Sequence, residues 1–153
     1  MLPLDAAARA GAGVRKVILL VEDNDDDITL TRRAFERNGI ANGIIVATDG
    51  QQALDMLLAP EPLVPQVVLL DLNLPRVSGL EVLRRMRADP RTELLPVVVL
   101  TSSDQDRDVI ESYRLRANSF VRKPVDFLEF VEAARQLGLY WLVLNEPPRH
   151  QDV

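Results

Sequence analysis

Val67-Val68-Leu69-Leu70-Asp71 is four aliphatic side chains in unbroken succession, closed by a carboxylate. A strand with one wet face alternates apolar and polar residues. A run without polar interruption fits a strand covered on both faces, as in a parallel sheet between two layers of helix. Four stretches of similar character flank it: Val17 to Val21, Ile44 to Ala47, Val97 to Leu100 and Ser119 to Val121. Segments of helical periodicity separate them. The first covers about Asp25 to Arg37, with Asn24 as N-cap, acids in its first turn and Asn38-Gly39 as a stop. The second covers about Gln51 to Leu58, and the third follows Ser78 with Leu80, Val82, Leu83 and Met86 on one stripe. The fourth lies between Asp104 and Leu115, with Val109, Ile110 and Tyr113 expected to face inward. The fifth has Asp126 as N-cap and carries Phe127, Phe130, Val131, Ala134 and Leu137. Five strand-helix units in series predict a single α/β doubly wound domain with right-handed crossovers.

Composition narrows the chemistry available. The 153 residues suffice for one domain with its own core, and 47% hydrophobic with 27% charged residues is ordinary for a soluble protein. A formal charge of -5 argues against nucleic acid as the main partner, because binding a phosphate backbone needs a basic face. The tight cluster Arg84, Arg85 and Arg87 reads as the solvated side of a helix. Zero cysteines exclude thiolate chemistry and disulfides and are compatible with a cytoplasmic location. The one histidine, His150, lies near the end, so a histidine base, ligand or phosphohistidine within the domain is not expected. Residues 1–14 are Ala/Gly-rich without a basic start and a long apolar stretch, and are expected to be a flexible leader rather than a targeting signal. No apolar run is long enough to span a bilayer, so no membrane association is expected.

In such folds ligands sit beyond the carboxyl ends of the strands. Strand one ends in Glu22-Asp23, strand three in Asp71, strand four in Thr101 and strand five in Lys123-Pro124. These ends converge on one edge, so three carboxylates, a hydroxyl and an ammonium are expected to share a pocket. Three clustered carboxylates repel strongly in a poorly polarisable setting. Lys123 offsets part of that charge, and Mg²⁺, which prefers oxygen ligands and keeps several waters, is the expected second cation. Asp23 and Asp71 suit direct ligation, Glu22 ligation through water, and the Asn73 backbone carbonyl a further neutral ligand. Softer metals lack their preferred ligands here. The arrangement suits phosphoryl transfer: Asp71 as nucleophile forming an acyl phosphate, Lys123 neutralising developing charge, and the Thr101 hydroxyl bonding a phosphoryl oxygen. Arginines outnumber lysines sixteen to two, yet the residue before Pro124 is lysine. A compact ammonium is the better point charge in a tight pocket. Asp25 to Asp27, Asp104 and Asp106 read as solvated first-turn acids.

The segments Ile18 to Asn24, Val68 to Pro75, Val98 to Ser102 and Phe120 to Val125, in this order, resemble bacterial two-component response-regulator receiver domains over roughly residues 15 to 137. Spacings of thirty residues from Asp71 to Thr101 and twenty-two from Thr101 to Lys123 are similar to the family's. The resemblance implies a flavodoxin-like sheet of order 2-1-3-4-5 and Mg²⁺ bound by Glu22, Asp23 and the Asn73 carbonyl. It also implies phosphate on Asp71, sensed by Thr101 and Lys123, with Phe120 as an aromatic switch residue and a cis bond before Pro124. Such a domain catalyses its own phosphorylation by a sensor histidine kinase and its own dephosphorylation, with no separate substrate turnover.

Tyr140 to Pro148 resembles the extended last helix of small receivers that partner phytochrome-type histidine kinases, giving a receiver over 15–144 and a tail over 145–153. With five residues after Pro148, no output domain is expected. Tyr140, Trp141, Leu142 and Leu144 continue an apolar stripe past the expected domain edge, and such surfaces often mark interfaces. A homodimer through helix four, strand five and helix five, with the tail as an arm, is therefore expected. A haloacid-dehalogenase-type phosphohydrolase needs a second acid two residues after its nucleophile, where this chain has Asn73. A phosphate-independent dimeric scaffold is the remaining alternative, and the intact acidic pair, Thr101 and Lys123 argue against it.

Overall fold

Five parallel strands carry the architecture: β1 (Val17–Val21), β2 (Gly43–Ala47), β3 (Val67–Leu70), β4 (Val97–Thr101) and β5 (Ser119–Arg122). The helices are α1 (Asp25–Arg37), α2 (Gly50–Leu57), α3 (Gly79–Ala88), α4 (Asp106–Arg114) and α5 (Phe127–Leu137). The computed structural model describes residues 17–39, 43–102, 105–123 and 126–137. The leader, Asp104, Pro124, the apolar tail residues Tyr140, Trp141, Leu142 and Leu144, and the side chains of Phe127, Phe130 and Leu137 lie outside that description. Strand order is β2-β1-β3-β4-β5, as the family resemblance implies. Among the described residues no helix is long and apolar enough to cross a membrane.

The unbroken apolar runs have a direct structural cause. Side chains alternate across a strand, and both faces of this sheet are covered. Leu19, Val21, Val68, Leu70, Val97 and Val99 pack with Ala53, Leu54 and Leu57 of α2 and Val82, Leu83 and Met86 of α3. Ile18, Leu20, Val67, Leu69, Val98 and Leu100 pack on the opposite face with Ala34 and Phe35 of α1 and Ala134 of α5. The helix starts obey local rules as well. Asn24, Asp49 and Ser78 each accept a hydrogen bond from the backbone N–H three residues on, capping α1, α2 and α3. Asp126 accepts from the N–H of Leu128 and Glu129 at the start of α5.

Two surface expectations are corrected. Ile110 and Tyr113 face outward, 52% and 51% exposed, and Ser112 is the buried residue of α4. Val109 is half-buried near Ser112, and Leu115, just past the helix end, packs against the core. Arg87 is not part of a solvated face either. Its guanidinium donates to the carbonyls of Thr92, Glu93, Leu95, Leu115 and Arg116 at 2.8–3.3 Å, joining the α3–β4 and α4–β5 connections. Burial, with the charge of Arg116, lowers its pKa to about 10.

The loop after β3 is held by close backbone approach. A Cβ on Gly79 would stand 2.2 Å from the Asp71 carbonyl oxygen, and one on Gly50 would stand 2.0 Å from the Val77 carbonyl oxygen. The Gly79 N–H donates to the Leu72 carbonyl at 3.0 Å, so α3 begins directly against the backbone that carries Asp71. Gly79→Ala should therefore destabilise the fold by about 2–4 kcal/mol through overpacking against main chain. A urea titration that placed the variant within about 0.5 kcal/mol of wild type would contradict this account of the loop.

Candidate functional site

Strand register assembles the site. Val21 pairs with Leu70 across β1 and β3, so the next residues, Glu22 and Asp71, emerge side by side. The Asp71 N–H donates to the Val21 carbonyl at 3.1 Å, and the Glu22 N–H donates to the Ala47 carbonyl at 2.9 Å. These bonds extend the ladders one step and fix both carboxylates. At the other side Thr101 pairs with Arg122, and the Lys123 N–H donates to the Thr101 carbonyl at 2.7 Å. The lysine stem thus starts beside Thr101 and reaches back across the strand ends.

The Lys123 ammonium donates to Asp27 at 2.8 Å, to Glu22 at 2.9 Å and to Asp71 at 3.4 Å. Glu22 is 2% exposed and Asp71 is buried with it, whereas Asp23 is open to solvent. One oxygen from each of Glu22, Asp23 and Asp71 fits within a group whose members lie no more than 4.8 Å apart. Three hard, anionic oxygen donors this close, without a sulfur or imidazole among them, match the ligand chemistry of a divalent cation such as Mg²⁺ or Mn²⁺. Electrostatics express the same crowding. Burial raises Glu22 from 4.5 to about 7 against the opposing hydrogen bond from Lys123, and the neighbouring charge of Asp71 adds to the rise. Burial alone would lower Lys123, but hydrogen bonds to Asp27 and Glu22 and the charge of Asp71 outweigh it and hold the ammonium above its ordinary range.

Glu22, Asp23, Asp71, Asn73, Thr101 and Lys123 lie at this edge of the sheet, whereas Phe120 sits inside β5, paired with Val99. Asn73 brings more than the main chain: its N–H donates to Asp71 at 3.0 Å, and its side-chain amide reaches the Thr101 and Ser102 hydroxyls at 3.4 Å. Thr101 itself is fully buried. Phe120 is half-buried against the core, with the Arg122 guanidinium 6.0 Å from its ring centre. Asp27 corrects the expectation of a solvated first-turn acid, because it makes the shortest contact to Lys123. Acids are so common in a first helical turn that its sequence position carried no separate signal.

Comparison with known proteins agrees with this geometry. A family model for the response regulator receiver domain matches residues 18–135, and the chain belongs to that family of signalling modules. The "Probable methanogenesis regulatory protein FilR2" of Methanothrix harundinacea (strain 6Ac) is 42% identical over 86% of this chain and 87% of its own. Response regulator Rcp1 of Synechocystis sp. (strain ATCC 27184 / PCC 6803 / Kazusa) is 35% identical over 83% of this chain and 89% of its own. The structure of its Mn²⁺-bound form superimposes with a TM-score of 0.79, at 34% identity over 88% of this chain and 99% of that one. The structure of the bacteriophytochrome response regulator RtBRR superimposes with a TM-score of 0.69, at 50% identity over 88% of this chain and 85% of that one.

The position of Glu22 generates a pH test. Its folded value of about 7 lies above the 4.5 of a free glutamate. The protonated group therefore favours the metal-free fold fully below the lower value, and that contribution is lost as pH rises through the higher one. With a chelator present, wild type and Glu22→Gln should have similar urea midpoints near pH ~5, and the Gln variant should be the more stable near pH ~8. A gap that does not change with pH would refute the assignment.

Proposed function

We propose that Asp71 accepts a phosphoryl group from the phosphohistidine of a sensor histidine kinase in a Mg²⁺-dependent reaction. The observation that carries the proposal is the buried Asp71 carboxylate lying both within the close trio of acids and against the Lys123 ammonium. Asp71 attacks phosphorus as the P–N bond of the phosphohistidine breaks and a P–O bond forms. The electron pair stays with the imidazole nitrogen. Lys123 neutralises charge on the phosphoryl oxygens, and the Thr101 hydroxyl donates to one of them. Glu22, Asp23, Asp71 and the Asn73 carbonyl would hold the cation, which when bound supplies positive charge opposite the phosphoryl oxygens. The acyl phosphate later hydrolyses in the same site.

Thr101 and Phe120 are the proposed link to the surface. Thr101 adjoins Asn73 of the Asp71 loop, and Phe120 lies on the neighbouring edge strand, two residues before the Arg122 that pairs with Thr101. The surface formed by α4, β5 and α5 exposes Ile110, Tyr113 and Leu128, which suits a partner that recognises apolar side chains. That partner is proposed to be a second copy of the chain, with Tyr140, Trp141, Leu142 and Leu144 extending the contact. The kinase is proposed to be a bacteriophytochrome, because the likeness to RtBRR reaches 50% identity over most of both chains.

Incubation with acetyl phosphate and Mg²⁺ should add one phosphoryl group to the intact mass. Asp71→Asn and chelation should each abolish the adduct. An adduct of equal yield in the Asp71→Asn variant would refute the assignment. Absence of any adduct would leave the phosphate-independent scaffold as the better reading.

A further inference from the structure

An ammonium offers three N–H donors, and those of Lys123 face three carboxylates. The two shorter contacts, 2.8 Å to Asp27 and 2.9 Å to Glu22, go to residues other than Asp71, which stands at 3.4 Å. Glu22 and Asp27 differ in kind. Glu22 belongs to the close trio of acids with Asp23 and Asp71, so a cation held there shares its charge. Asp27 is outside that trio and sits on α1, with a side chain one-third exposed. Among the described residues, the ion pair recorded for Asp27 is the one to Lys123.

We propose that Asp27 is a positioning residue that holds the Lys123 ammonium back from Asp71 and so restrains phosphoryl transfer onto it. The proposal rests on the reading of Asp71 as phosphoacceptor. An incoming phosphoryl group brings negative charge that Lys123 must meet, and the lysine divides its attraction between those oxygens and the Asp27 anion. Asparagine at position 27 keeps the size of the side chain and removes the competing charge. The main-chain roles of Asp27 survive the change: its N–H still donates to Asn24 and its carbonyl still accepts from the Thr31 hydroxyl.

The test is the initial rate at which the full chain takes phosphate from acetyl phosphate at saturating Mg²⁺. In that reaction the P–O bond to acetate breaks, a P–O bond to Asp71 forms, and acetate leaves as the anion. Asp27→Asn should raise the rate about threefold to tenfold, the range expected for releasing a charged pair of this exposure. Asp26→Asn removes the same charge from the same turn of α1 without touching Lys123 and should leave the rate unchanged. In a Lys123→Ala background the acceleration by Asp27→Asn should vanish, an outcome that a purely structural role of Asp27 would not produce. An unchanged or slower rate in Asp27→Asn, an equal acceleration by Asp26→Asn, or an acceleration that persists without Lys123 would each overturn the proposal. A wild type that takes up no phosphoryl group overturns the phosphoacceptor reading and this inference with it. A wild type phosphorylated as fast as Asp27→Asn overturns this inference alone.

Discussion

At the carboxyl edge of this sheet the Lys123 ammonium meets the carboxylates of Glu22, Asp27 and Asp71, and Asp23 closes a tight trio of acids with Glu22 and Asp71. Buried like charges are costly unless a counter-charge and hydrogen bonds compensate them. Lys123 compensates part of that charge, and the partial protonation implied by a Glu22 value of about 7 compensates another part. The remaining imbalance is the physical basis of the proposal that the site takes a divalent cation and then the oxygens of a phosphoryl group.

Everything that brings these groups together is backbone geometry. The β1–β3 register sets Glu22 beside Asp71, and the β4–β5 register sets Lys123 beside Thr101. Gly79 and Gly50 let the Asp71 loop lie against neighbouring main chain where a side chain would collide. In the α3–β4 and α4–β5 connections, Arg87 ties five carbonyls. Its charge is spread over neutral acceptors rather than matched to an acid. The ends of α3 and α4 are thereby joined away from the site, while the N-terminal side of α4 follows directly on the Thr101 loop.

Much of this was legible in the sequence. Strand runs without polar interruption gave the two-sided burial, and acids, hydroxyl and lysine at strand ends gave the site. What escaped were features set by neighbours distant in the chain. The buried residue of α4 is Ser112, which the apolar residues Ile110 and Tyr113 of the same helix do not signal. Asp27 resembles any acid at a helix start until Lys123 arrives from a position 96 residues later. Arg87 resembles its solvated neighbours Arg84 and Arg85 until two loops fold over it. Gly79 reads as an ordinary helix start, and its real constraint is the Asp71 carbonyl above it.

Membership in the receiver family and the geometry of the acidic edge lead to one claim: the strand-end carboxylates hold a divalent cation that, with Lys123, makes Asp71 a phosphoacceptor. Isothermal titration calorimetry of Mg²⁺ into the protein at constant ionic strength tests it most directly. The account predicts saturable binding of one ion per chain, weakened about tenfold or more by Asp23→Asn. Heats that never saturate, or an affinity untouched by Asp23→Asn, would contradict it.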